Sequence, residues 1–194
     1  MNDILWTDCE TGGTNHEKDA LIQLSAIIEE CGEVVEEIDL KIKPVEGKNV
    51  SLQALEVQGR KFSDLEKFIP YEEAYKKFNT FLSRNGKRVP TKLTRYIMGG
   101  YNGEFDCRFI NEWYKDISGG PYEYWKYMQF SPIDLLPILR CLRHYRIISI
   151  PDTKLETCCN YFGIELKAHD SLSDIRATRQ LTNEIMKILK QFKM

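Results

Sequence analysis

Asp8 and Glu10 stand two residues apart in Asp8-Cys9-Glu10-Thr11-Gly12-Gly13, directly after the apolar run Ile4-Leu5-Trp6. Such a run reads as the start of a buried strand. In a strand, residues two apart project from one face, so Asp8 and Glu10 point together while Cys9 points the other way. Adjacent carboxylates repel. A divalent cation such as Mg²⁺ or Mn²⁺ removes that repulsion, because hard oxygen ligands suit it. Gly12 and Gly13 end the strand and leave bare backbone that a ligand can approach closely. An acidic strand end entering a turn would explain the same residues, so the pair needs partners elsewhere in the chain.

Two later segments supply them. Tyr101-Asn102-Gly103-Glu104-Phe105-Asp106 lies where a strand turns into a helix, and Asp106 falls in the first helical turn, where negative charge is favoured. His169-Asp170-Ser171-Leu172-Ser173-Asp174 precedes the last helix, with Asp174 expected to begin it and His169 on the loop before it. Singly, a helix-start acid and a solvent-exposed loop histidine account for these residues as well.

Together, Asp-x-Glu, Asn-x-x-Phe-Asp and His-x-x-x-x-Asp, in that order, resemble the DEDDh group of DnaQ-like 3′–5′ exonucleases. Lys154-Leu155-Glu156-Thr157, Tyr161-Phe162-Gly163-Ile164, Asp174-Ile175-Arg176-Ala177-Thr178, Ala54 to Gly59 and Ile133-Asp134-Leu135 are similar to that family too, so the likeness covers nearly the whole chain. It implies an α/β fold: an RNase H-like mixed five-stranded sheet, its first three strands antiparallel, with helices on both faces. It also implies two divalent cations, Mg²⁺ or Mn²⁺, held by Asp8, Glu10, Asp106 and Asp174. In that scheme Asp8 bridges both cations, Glu10 and Asp174 complete the tighter site, and Asp106 acts partly through water. His169, with an ordinary pKa of ~6.5, is suited to take the proton of the attacking water. Thr11, the backbone after Glu10 including Gly12, Asn102 and Phe105 would meet the terminal nucleotide.

Two positions depart from the family pattern. Tyr101 stands where a histidine is frequent, which leaves every metal ligand in place and points to altered substrate contacts. Gly12 stands where threonine is commoner, removing a side chain beside the substrate. The expected activity is hydrolysis of single-stranded or frayed 3′ ends, of DNA first with RNA as the open alternative, giving nucleoside 5′-monophosphates. Because the chain ends with the last motif helix, a free-standing enzyme is expected, with a surface patch able to recruit a polymerase transiently. The rivals are a non-catalytic binding module of the same fold and a phosphohydrolase of free nucleotides. The five catalytic-type residues speak against the first, and a closed pocket would favour the second.

The rest of the chain must position these groups. Its 194 residues suit one domain, 1–194, with a sizeable core. A net charge of −2 excludes a general polyanion coat and leaves room for a local basic patch. The six cysteines form no CxxC pair, which argues for free thiols in a reducing cytoplasm and against structural zinc. No apolar run reaches the ~20 residues of a membrane span, and the N-terminus lacks the pattern of a secretory signal. Oligomeric state is not legible.

Leu21 to Glu30 alternates at Ile22, Leu24, Ala26 and Ile28, and Ile38, Leu40 and Ile42 alternate with charged residues, predicting an antiparallel meander with a turn at Cys31-Gly32-Glu33. Ser51 is placed to cap a short helix through Val57. Helical spacing runs from Glu72 to Leu82 and stops at Asn85-Gly86. Arg84, Lys87, Arg88, Lys92 and Arg95 could be a solvated connection or a phosphate contact. A strand is predicted over Tyr96 to Tyr101, a helix over Gly103 to Ile117, and a last strand over Phe130 to Ile133. The aromatic stretch Tyr122 to Tyr127 is expected to pack a long loop onto the core rather than to stack on bases. Further helices follow at Leu135 to Tyr145, Lys154 to Phe162 and Asp174 to about Phe192.

Overall fold

The computed structural model describes residues 3–191 apart from 85, 90, 93, 121, 130, 131 and 168, and apart from the side chain of Tyr122. The chain opens with β1 (Ile4–Thr11), β2 (Leu21–Glu30) and β3 (Glu33–Lys41), an antiparallel meander. The β2–β3 link is the pair Cys31-Gly32, both with positive φ, 55° and 88°. That left-handed two-residue turn matches the twist of the flanking strands. Three helices follow, α1 (Leu52–Val57), α2 (Phe62–Leu65) and α3 (Tyr71–Leu82). Ser51 caps α1 as expected, its Oγ accepting from the Ala54 N–H at 3.1 Å.

The second half alternates strand and helix: β4 (Ile97–Gly100), α4 (Gly103–Ser118), α5 (Tyr122–Tyr127), β5 (Ile133–Asp134), α6 (Leu135–His144), α7 (Leu155–Phe162) and α8 (Ser171–Gln191). The sheet order is β3-β2-β1-β4-β5, with β4 parallel to β1 and β5 parallel to β4. This is the mixed five-stranded sheet that the sequence predicts. Among the described residues no helix is long and apolar enough to cross a membrane.

Alternation along β1 divides the core. Leu5 and Cys9 face the large cluster with Phe78 of α3 and Phe109 and Trp113 of α4, whereas Trp6 packs with Ile27 and with Ile175 of α8. Helices thus cover both faces, which is why every residue from Leu21 to Ile28 is buried rather than every second one. Asp8 and Glu10 fall on the α8 face by the same period of two.

Several boundaries differ from the sequence reading. Helix α8 starts at Ser171, not Asp174, because tertiary bonds fix its first turn. The Ser171 Oγ lies 2.6 Å from the Ser25 Oγ and 3.2 Å from the Asp8 carbonyl, and the Asp174 N–H donates to the Asp170 carbonyl at 2.9 Å. The expected end at Phe192 lies outside the described residues. The segment Tyr122–Tyr127 is a helix, not a loop. It packs on the core as expected, with the Tyr124 ring 5.6 Å from that of Tyr114; the Tyr122 side chain lies outside the described residues. The last strand is Ile133–Asp134, and Phe130, where it was expected to begin, lies outside them too. Helix α3 ends at Leu82, with Ser83 as its C-cap. Of the expected stop, Asn85 lies outside the described residues, and Gly86 follows the helix at φ 81°.

Two of the central basic residues have structural partners. Arg84 pairs with Glu30 and Glu36, and Arg88 pairs with Asp3 and Glu30 while its guanidinium lies 3.9 Å from the Tyr96 ring centre. Glu30 belongs to the end of the sheet away from Asp8, since Ile4 lies opposite Glu29 and Asp8 opposite Ser25. These two arginines clamp that far edge and do not reach the carboxylates.

Parallel pairing of β1 with β4 depends on a close approach at Gly99. A Cβ there would lie 2.5 Å from the Trp6 ring, which is itself buried. Gly99→Ala is expected to destabilise the fold by roughly 1–3 kcal/mol through overpacking. Thermal denaturation checks this, and an unchanged midpoint would show that Trp6 can move aside.

Candidate active site

Strand β1 carries Asp8 and Glu10 to the face covered by α8, and the first turn of α8 brings Asp174 over them. One carboxylate oxygen from each of the three lies within 4.8 Å of the others. Asp106, in the first turn of α4, is buried outside this triad. Its Oδ1 accepts the Cys9 N–H at 2.8 Å. Pairing of β1 with β4 ends at Trp6 opposite Gly99, so the side chain of Asp106 takes up the Cys9 amide just beyond the last backbone pair.

His169 is exposed, in a left-handed conformation at φ 65°, and its backbone N–H donates to the Asp174 Oδ2 at 3.3 Å. Burial pushes the Asp174 carboxyl up to about 6, outweighing the lowering effect of that hydrogen bond and of the nearby imidazole. Burial likewise raises Glu10 to about 7, with Arg60 opposing and Asp174 adding to the rise. Asp106 rises to about 8 by burial against the bonds from Cys9. Asp8 is raised well above the carboxylate range by burial, then by the charges of Asp106, Asp174 and Glu10. Burial and mutual repulsion thus favour the protonated form of these carboxyls near neutrality, and a bound cation would oppose that.

The donor set fits a divalent metal. Hard carboxylate oxygens converge, and the Asp174 Oδ1 is buried without a hydrogen-bond partner among the described residues. An unpartnered buried carboxylate oxygen is costly unless something binds it.

Beside the carboxylates runs an open groove of about 530 Å³, lined by Glu10, Thr11, Gly13, Val57, Gln58 and Phe105 among others. Thr11 and Phe105, which the sequence reading expects at the terminal nucleotide, both line this groove. Asn102 lines an adjoining hollow with His16 and Phe105. Asn102 is left-handed at φ 61°, and its N–H donates to Asp134 at 2.9 Å. Gly12 is different. A Cβ there would lie 2.3 Å from the Asn49 carbonyl oxygen, so the missing side chain faces the 49–50 backbone and the reason for glycine is close chain packing. The Tyr101 hydroxyl donates to the Thr153 carbonyl and lies 3.6 Å from the Cys158 Sγ, binding the end of β4 to the loop before α7. The tyrosine is thus committed to packing rather than to a substrate contact.

Sequence reasoning missed three contributors. Asp170 adds negative charge that raises Asp8, Glu10 and Asp174. Arg60 opposes it at Glu10, and Gln58 donates to the Thr11 carbonyl at 2.9 Å, fixing the groove wall. Asp170 was visible inside the third motif, and Gln58 lies within the family-like run from Ala54 to Gly59. Arg60, one residue beyond it, carried no signal.

A sequence model of the exonuclease family, RNase_T, matches residues 5–182. The PolC-type DNA polymerase III of Thermotoga petrophila is 26% identical over 186 residues, covering 95% of this chain and 12% of that protein. Ribonuclease T of Vibrio vulnificus is 27% identical over 184 residues, covering 90% of this chain and 79% of that one. Among solved structures, Escherichia coli exonuclease I in complex with a dT13 oligonucleotide superposes with a TM-score of 0.82 at 22% identity, over 98% of this chain and 42% of that one. Its zinc-bound form with single-stranded DNA gives 0.80 over the same shares. At that identity the likeness is one of fold. The chain spans less than half of exonuclease I and a small part of the polymerase.

The raised carboxylates set a pH dependence. Unfolded carboxyls titrate near 4, whereas the folded ones hold their protons to about 6 for Asp174 and about 7 for Glu10. Over that range the unfolded chain binds fewer protons, so stability falls as pH rises from about 4 through 7, and Asp106, raised to about 8, and Asp8, raised well above its ordinary value, carry the fall beyond it. Metal-free protein should therefore melt at a lower temperature at pH 8 than at pH 5. Mg²⁺ or Mn²⁺ should restore more at pH 8, where fewer protons need displacing. Melting curves that respond to the metals equally at both pH values would mean the carboxylates are not crowded in solution.

Proposed function

The chain belongs to the exonuclease family, in the DnaQ-like 3′–5′ group that its motifs resemble, and from that premise we propose that it trims single-stranded or frayed 3′ ends. DNA is the preferred substrate and RNA the second, with nucleoside 5′-monophosphates as products. The observation that carries this reading is the convergence of Asp8, Glu10 and Asp174 oxygens within 4.8 Å, with Glu10 also lining an open groove. An open groove accepts a polymer end and counts against a phosphohydrolase of free nucleotides.

Asp8, Glu10 and Asp174 would hold the divalent cations, Mg²⁺ or Mn²⁺, with Asp106 contributing through its other oxygen and by gripping the Cys9 amide. Two such cations, when bound, stabilise charge on the attacking and leaving oxygens of a phosphodiester. His169, exposed beside Asp174, takes the proton of the attacking water as general base. Thr11 and Phe105 seat the terminal nucleotide from the groove wall. The choice of a single strand gains support from exonuclease I, of the same fold, which binds oligonucleotides. A transient contact with a polymerase is part of the reading, since the PolC-type polymerase contains a matching segment. All six cysteines are free, which supports a reducing cytoplasm as the place of action.

The test uses 5′-labelled single-stranded DNA and matching RNA with Mg²⁺, with Mn²⁺ and with EDTA. Shortening from the 3′ end, abolished by EDTA and by Asp8→Ala, is the expected result. Retention of most activity in Asp8→Ala would remove the carboxylate cluster from the reaction. His169→Ala should lower the rate by roughly 10²–10⁴-fold while metal still stabilises the fold, and an unchanged rate would take the base role from His169.

A further inference from the structure

We infer that the concave surface at the C-terminal end of α6 is a second contact for the polynucleotide strand, where Arg140, Arg143 and Arg146 hold phosphates and Tyr145 stacks on a base. This rests on the exonuclease reading for its ligand and on different residues for its argument.

The concavity, about 590 Å³, is lined by Arg140, Arg143, His144 and Arg146 over an apolar floor of Ile148 and Ile150. No carboxylate lines it among the described residues, and none of the three arginines makes an ion pair there. Asp152 feels the charge of Arg143 and is itself bonded by the Lys154 N–H at 2.9 Å. In a chain of net charge −2, three arginines within seven residues on one hollow wall make a local positive field. Tyr145, between Arg143 and Arg146 in sequence and outside the lining of the hollow, is 74% exposed, its ring meeting that of the lining residue His144 edge-on at 5.0 Å. Exposed aromatics beside a row of cations are what sequence-tolerant single-strand binding requires, one for the base faces and one for the backbone.

The patch is built rather than loose. The Arg143 Nε donates to the Ile150 carbonyl at 3.0 Å and its Nη2 to the Pro151 carbonyl at 2.6 Å, which fixes the guanidinium and the loop together. Ile148 and Ile150 are buried against Leu139 and Leu142 of α6. Helix α6 ends in a left-handed closing residue, with the Ile147 N–H donating to the Leu142 carbonyl at 2.9 Å. That position normally takes glycine, yet here it is Arg146, at φ 57°. At the other end of α6, Asp134 accepts the Asn102 N–H at the catalytic edge. The helix is 10 residues long, or about 15 Å at 1.5 Å per residue. A strand must be several nucleotides long to reach both places.

The conformation of residue 146 supplies a clean variant. Arg146→Gly removes the charge and suits the backbone, so Arg140→Gln with Arg146→Gly should fold at least as well as the parent. Arg143 is left in place because it also holds the loop. Binding of a labelled dT20 strand is measured by anisotropy in EDTA, so that nothing is cut, over a series of salt concentrations. The double variant should bind about tenfold more weakly, and the slope of log K against log salt should be shallower by about 1.4, two phosphates at ~0.7 each. With metal restored, hydrolysis of a dinucleotide too short to span α6 should be unchanged. Equal affinity and equal slope for parent and variant would overturn the proposal. Equal dT20 binding with loss of polyglutamate binding would assign the patch to an acidic protein segment and overturn it too. Loss of dT20 binding in a protein that hydrolyses neither substrate would sustain the strand contact and remove the exonuclease reading.

Discussion

Crowding of negative charge at one end of β1 is the constraint on which the site depends. Asp8 and Glu10 are forced onto one face by the pleat, and the residue before α8 and its first turn then add the charges of Asp170 and Asp174. Few groups offset this. The Cys9 amide holds Asp106, the His169 amide holds Asp174, and Arg60 opposes the charge at Glu10. One oxygen of Asp174 is left buried and unpartnered among the described residues. A fold selected for stability alone would place apolar side chains here. The surrounding core, with both faces of the sheet covered, supplies the rigidity that holds such a cluster together.

The same arrangement explains why this site lies at a strand end rather than in a strand. β4 leaves β1 after Gly99, and β5 contributes only Ile133–Asp134. Beyond those points backbone groups need other partners, and the side chains of Asp106 and Asp134 provide them for the Cys9 and Asn102 amides. Termination of the parallel ladder therefore creates both the groove and the means of lining it.

The sheet and the carboxylate positions were legible because they follow from short-range regularities: a period of two in β1 to β3, helical spacing afterwards, and motifs read in order. What stayed hidden was set by residues far away in the chain. The start of α8 answers to Ser25 and Asp8, the glycine at 12 to the backbone at 49–50, and the tyrosine at 101 to Thr153. Arg84 and Arg88 read as loop cations because their partners, Asp3, Glu30 and Glu36, are more than fifty residues distant in all but one pair, Arg84–Glu36, which falls just short of that. Arg60 was silent for the same reason: nothing local says that Glu10 and Gln23 are its neighbours.

Asp8 and Ser171 touch across a separation of 163 residues. During synthesis, which proceeds from the N-terminus at about 5–20 residues per second, the meander carrying Asp8 and Glu10 has emerged well before α8 exists. Until that helix docks, the carboxylate triad lacks a member and Trp6 and Ile27 lack their cover. The nascent chain thus passes through a stage with much of its sheet but no complete metal site. By topology, the carboxylate cluster is completed only once α8 has been made and has docked on β1.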